Sequence, residues 1–153
     1  MADVHIWNIA QGVKQSWGAS SLLSAVIPVE RLFLGRTPAD TEYPNATFDL
    51  EDVSNYFGGT EYFSGAAYIK VTKVTFKMYG DRTTDFDGLA EGMSATFGWQ
   101  AETPAGGVTI PNAIVLSVVR EVEKVEVLPE RVSNEDIICY SYTTNIKKQA
   151  NRG

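Results

Sequence analysis

The sequence predicts an α+β fold, a mostly antiparallel sheet with helices packed on one face. Three observations lead there. From Ala66 to Trp99 one long amphipathic strand turns into one amphipathic helix. Ile69 and Val71, then Val74, Phe76 and Met78, alternate with polar residues, whereas Phe86, Leu89, Ala90, Met93 and Phe97 fall at helical spacing after Gly80. The predicted elements run helix, helix, strand, strand, long strand, helix, strand, strand. That order lacks the regular alternation of a parallel doubly wound sheet. Finally, 153 residues with 44% hydrophobic and 21% charged side chains suit a single globular domain over residues 1–153. A chain of that size buries roughly two-thirds of its unfolded surface.

The elements follow in order. Asp3 is placed to cap a first helix through Trp17, with Ile6, Ile9, Ala10, Val13 and Trp17 on one stripe and Gly18 as its stop. Ser20 or Ser21 caps a short helix over Leu22, Leu23, Val26 and Ile27, which Pro28 ends. Arg31 to Gly35 reads as a brief strand, Arg36 to Pro44 as a loop, and Ala46 to Leu50 as a second strand. From Glu51 to Gly65 no periodicity survives, and Gly58-Gly59 lies between Tyr56-Phe57 and Tyr62-Phe63. The apolar phase of the long strand flips between Val71 and Val74, which predicts a β-bulge near Thr72-Lys73. The next helix runs from Asp81 to Phe97, with Gly98 as its stop and Ala101 to Pro111 as a loop. Two strands close the fold, Ala113 to Val127 and Ile137 to Ile146, joined by a polar connector from Pro129 to Asp136. The alternation from Arg120 to Val127 predicts a strand with one face in solvent or against another subunit. Residues Lys147 to Gly153 are expected to fray.

Composition and motifs exclude most chemistry. The net charge of −6 argues against binding nucleic acid by neutralising phosphates. Cys139 is the only cysteine, so no internal disulfide forms, and its place in an alternating strand makes it a buried structural thiol. No signal peptide is recognisable, and no apolar run approaches the ~18 residues of a membrane span. The sole histidine, His5, sits at the start of the first helix with no Gly-x-Ser-x-Gly elbow to accompany it. Asp81, Asp85 and Asp87 read as helix-capping carboxylates rather than metal ligands. Asp49, Glu51 and Asp52 read as a solvated strand end. Gly58-Gly59 and Gly106-Gly107 lack the residues that make a phosphate loop. The residues therefore assign no catalytic site, no metal and no cofactor.

Tyr56, Phe57, Tyr62 and Phe63 stand apart. Four large rings in an irregular stretch either fold back over the sheet as satellite core or form part of a subunit interface, where aromatics are over-represented.

The order of the pieces resembles the tail-terminator (tail-completion) proteins of long-tailed bacteriophages and their prophage relatives. The resemblance runs from about Asp3 to Ile146 and is strongest around Leu22–Pro28, Tyr43–Thr47 and Phe76–Phe97. It implies a non-enzymatic virion protein, assembled in the host cytoplasm, that forms a homo-oligomeric ring, usually of six subunits. Such a ring caps the completed tail tube and meets the head-side connector protein. DNA passes through its lumen without specific binding, and no membrane or cofactor is involved. Under that reading Tyr56, Phe57, Tyr62 and Phe63 contribute to the subunit interface. A head–tail connector or neck ring protein is the nearest alternative, and a small cytoplasmic binding module or enzyme is a more distant one.

Overall fold

The structure is a computed structural model that describes residues 6–39, 41–52, 69–98, 100–101, 108–111, 113–129 and 136–150. Helix α1 spans Ile6–Ala19 and buries Ile9, Ala10, Val13 and Trp17, the stripe its spacing predicts. It ends one residue beyond Gly18. Ser20 then caps α2 (Ser21–Val26), its Oγ accepting the Leu23 N–H at 3.2 Å. Pro28 opens a single 3₁₀ turn, Val29–Arg31, that delivers the chain to β1 (Leu32–Leu34). Asp3 and His5 lie outside the described residues, as do residues 53–68 with Tyr56, Phe57, Tyr62 and Phe63.

The remaining elements are β2 (Asn45–Asp52), β3 (Ile69–Gly80), α3 (Phe86–Phe97), β4 (Gln100–Ala101), β5 (Ala113–Pro129) and β6 (Asp136–Ala150). They build a six-stranded sheet in the order β1-β2-β3-β6-β5-β4. Only β1 and β2 are parallel; every other neighbouring pair is antiparallel. Helix α3 starts at Phe86, not at Asp81 as its sequence suggests, because Asp85 is its N-cap, with Oδ1 accepting the Gly88 N–H at 2.9 Å. Asp81 sits earlier, in the turn out of β3, where its Oδ1 accepts the Thr83 N–H at 2.8 Å. Asp85 thus caps α3, the role its position predicts, whereas Asp81 fastens the preceding turn and does not cap the helix.

One sheet face carries the core. Val74, Phe76 and Met78 of β3, Ala46 and Phe48 of β2, and Tyr140, Tyr142 and Ile146 of β6 are buried with Val13, Trp17, Leu23, Leu89, Met93 and Phe97 from the helices. Phe76 is the hub: its ring centroid lies 5.8 Å from that of Trp17, 6.2 Å from Phe48 and 4.7 Å from Phe97. Two buried hydrogen bonds tie the helices down, Trp17 Nε1 to the Ile27 carbonyl at 2.8 Å and Tyr142 OH to the Phe97 carbonyl at 2.9 Å. Val108 and Ile110 cross over α1 and bury there. The Thr109 N–H donates to Ser16 Oγ at 3.1 Å, and the crossing is so close that a Cβ on Gly12 would sit 2.5 Å from the Thr109 carbonyl oxygen.

Two further expectations are corrected. β3 has no bulge at Thr72-Lys73: it pairs without a register shift to β2 from Thr72 to Tyr79 and to β6 from Ile69 to Gly80. From Thr72 to Gly80 the even-numbered residues keep the core face. Thr72 is buried there, and Lys148, also buried, donates from Nζ to Thr72 Oγ1 at 2.6 Å. A satisfied polar pair thus takes the place of apolar side chains at that end of the core. Val71 accepts partial exposure on the opposite face. Nor do residues 147–150 fray, since β6 continues to Ala150 and pairs on both sides, with Lys147 opposite Val71 and Ser117.

Leu89 is fully buried between α3 and the sheet. Leu89→Ala is expected to lower the unfolding free energy by about 2–5 kcal/mol in denaturant titration. A loss below ~1 kcal/mol would mean that α3 is peripheral to the core.

Candidate functional site

The strongest candidate surface is the hairpin of β5 and β6. Its strands pair from Ala113 opposite Ala150 to Pro129 opposite Asp136. Two register shifts, at Val115/Ser117 and at Arg120/Val122, each add a residue to β5. Past the second shift, Val122, Lys124, Glu126 and Leu128 share the helix-free face with Thr143, Ser141, Cys139 and Ile137. Glu123, Val125 and Val127 share the helix side with Tyr142, Tyr140 and Ile138. Among the described residues no helix covers that part of β5. Val122, Val125 and Val127 are 53%, 63% and 61% exposed, an unusual state for β-branched residues in the middle of a strand.

Charged groups order the same stretch. Tyr140 OH donates to Glu123 Oε2, and Arg120 Nη1 stands 3.7 Å from Glu123 Oε1. Lys124 Nζ and Glu126 Oε1 are 2.6 Å apart on the helix-free face. Their hydrogen bond holds the ammonium above and the carboxylate below its ordinary pKa. Burial, reinforced by the hydrogen bond to Glu123, pushes the Tyr140 hydroxyl far above the usual phenol range. Burial also pushes Tyr142 up to about 12.

A second feature is an open cleft of about 460 Å³ on the helix-free face, between the loop after β1 and strands β2 and β3. Arg36, Thr37, Tyr43, Asp49, Lys77 and Tyr79 line it. Burial first, then Cys139 and Asp49, pushes the Tyr79 hydroxyl up, so it remains a neutral hydrogen-bonding group. Cys139 itself is buried, its Sγ 3.8 Å from Ser141 Oγ. Among the described residues no three of His, Cys, Asp and Glu group as a metal site requires, and no helix is long and apolar enough to cross a membrane. Asp49 lines the cleft, Glu51 is exposed beside it on β2, and Asp81, Asp85 and Asp87 stay at the start of α3. These carboxylates are not brought together. Sequence reasoning flagged the charged alternation of β5 but not the exposure of Val122, Val125 and Val127, whose only signal was valine recurring among charges.

No protein-family model matches the chain, and no curated protein matches it. Among solved structures, the fold is similar to that of a chain in the "virion of native gene transfer agent (GTA) particle", with a TM-score of 0.56 and 13% identity over 90% of this chain and 92% of that one. The α+β architecture read from the sequence is therefore one that a chain of a gene transfer agent virion also adopts.

The tyrosines supply a pH test. An unfolded tyrosine ionises near its ordinary value of 10.0, whereas Tyr142 in the fold holds its proton to about 12. Between those values the unfolded state loses a proton that the native state keeps. Stability is then full below pH 10 and falls as pH rises toward 12. Ultraviolet titration should show tyrosinate ionisation well above the ordinary range, from which Tyr142→Phe removes one group while Tyr140 still titrates late; ionisation of every tyrosine near pH 10 would contradict the burial of Tyr142.

Proposed function

We propose that this chain is a structural protein of a phage-like virion, and within it a tail terminator. In this role copies close into a ring, six by the family resemblance, that caps the finished tail tube and offers a surface to the head-side connector. DNA passes through the lumen without specific binding. The observation that carries the reading is the likeness to the gene transfer agent virion chain, which spans nearly the whole of both chains. The net charge of −6 supports it, since a basic lumen would retain phosphates. The deciding experiment is disruption of the gene in a strain that produces particles, followed by electron microscopy of the lysate. Overlong tails are expected for a terminator. Complete tails beside unjoined heads would assign the chain to the head-side connector instead, and normal particles would remove it from the virion altogether.

The excursion from Glu51 to Gly65 contributes to ring contacts in this proposal. A cyclic ring fits one surface of each subunit to a different surface of the next, and aromatic anchors carry much of the energy of such interfaces. Replacing Tyr56, Phe57, Tyr62 and Phe63 by serine should weaken assembly, read by sedimentation with tail tubes, while circular dichroism stays native. Unfolding of the variant would instead make the four rings part of the core, and unchanged assembly would put the interface elsewhere.

A further inference from the structure

Beyond Val118 the outer edge of β5 has no strand beside it among the described residues, because β4 contributes only Gln100 and Ala101, opposite Val118 and Ser117. A free edge offers a row of backbone N–H and C=O groups that a further strand satisfies. We propose that this strand is β5 of a second copy of the chain, antiparallel to the first about a twofold axis through Val125. The inference does not rest on the virion reading.

Three constraints select the register. The first is the length of usable edge. The register shift at Arg120/Val122 interrupts the ladder on one side, and Pro129, which lacks an N–H, ends it on the other. The uninterrupted window is Val122 to Leu128, and its midpoint is Val125. The second constraint is the pleat. Residues opposed across a continuous sheet point to the same face, so the twofold axis passes through a residue and not between two.

The third constraint is charge. Like charges directly opposed destabilise a strand pair. Centring on Glu123, Lys124 or Glu126 sets that residue against its own copy. Centring on Val122 drives the ladder through the register shift, and centring on Val127 or Leu128 drives it past Pro129, leaving at most three residues of the window paired and no acid in it opposite Lys124. Val125 as centre places Lys124 opposite Glu126 of the second copy, and the reverse by symmetry. Because Lys124 and Glu126 already lie 2.6 Å apart within one strand, the twofold assembles a square of alternating charges on the helix-free face. The same register opposes Val125 to itself on the helix side and Val122 to Leu128 on the other, covering side chains that are 63%, 53% and 37% exposed in the single chain. An isologous contact of this kind closes on itself and does not propagate into a fibre. It also differs from the heterologous contact that closes a cyclic ring, so the two can coexist.

Cysteine cross-linking and charge exchange test the register. Val125→Cys is expected to give a disulfide-linked dimer on a non-reducing gel after mild oxidation. Val127→Cys is as exposed but opposes Glu123 of the second copy, so it should remain single, as should the unmodified chain with its buried Cys139. Lys124→Glu and Glu126→Lys should each halve the mass measured by light scattering, and mixing the two variants should restore it, because an all-acidic edge then meets an all-basic one. Equal cross-linking of the two cysteine variants, or a mass unchanged by Lys124→Glu, would overturn the proposal. If circular dichroism shows that Val125→Cys does not fold, the mixing experiment decides alone. Failure here leaves the tail phenotype of the disrupted gene unaffected, so the two proposals fail separately.

Discussion

Every layer of the fold meets at the ring of Phe76. It stands in the middle of β3, the strand that β2 and β6 flank, and touches Trp17 of α1, Phe97 of α3 and Phe48 of β2. Tilted aromatic pairs at these separations add to area burial, and a shift of one residue in β3 would turn Phe76 and its even-numbered neighbours to the helix-free face. That constraint explains why β3 carries no bulge despite the flip in its apolar pattern. Phe76 and Met78 fix the phase at one end, and the other end accommodates it with the Thr72–Lys148 pair. The shifts the sheet does need fall in β5, away from this hub.

Polar ties fix the helices against that hub. The Trp17 indole ends on the Ile27 carbonyl, so the end of α1 and the exit from α2 are joined through one buried donor. Tyr142 performs the same service for the last turn of α3, where its hydroxyl donates to the Phe97 carbonyl. Losing either donor would leave a buried carbonyl unsatisfied, a penalty of about 1–3 kcal/mol and a sizeable share of a small domain's stability. Packing sets where the helices lie, and these bonds set where they end.

The fold class was legible because periodicity reports burial directly. The stripes Ile9–Trp17 and Leu89–Phe97 and the alternation Val74–Met78 all bury as their spacing predicts. Less was legible where partners decide. The phase of Thr72 depends on Lys148, a residue 76 positions away, and neither sequence neighbourhood announces the pair. β4 is two residues long and exists only because β5 passes beside it. The exposed valines of β5 were unreadable for the same reason. Whether a strand residue is covered depends on how far α3 reaches across the sheet, which is a property of the assembled fold. The Asp85 cap of α3 was legible because capping is local.

At 13% identity, what this chain shares with the gene transfer agent virion chain is an arrangement of strands and helices. Function then has to be sought in residues the core does not require. Phe76, Trp17 and Tyr142 belong to the core, and they would serve any role the scaffold is given. Val125, Val127 and the Lys124–Glu126 pair are different, because they contribute nothing to the hub and cover no part of it. A free strand edge with exposed valines invites uncontrolled pairing, and charge is the usual means of suppressing it. On β5 the charges alternate in sign within a window closed by a bulge and a proline, so they disfavour most registers and match in one. A surface whose features exclude all pairings but one is better suited to selecting a partner than to repelling every partner.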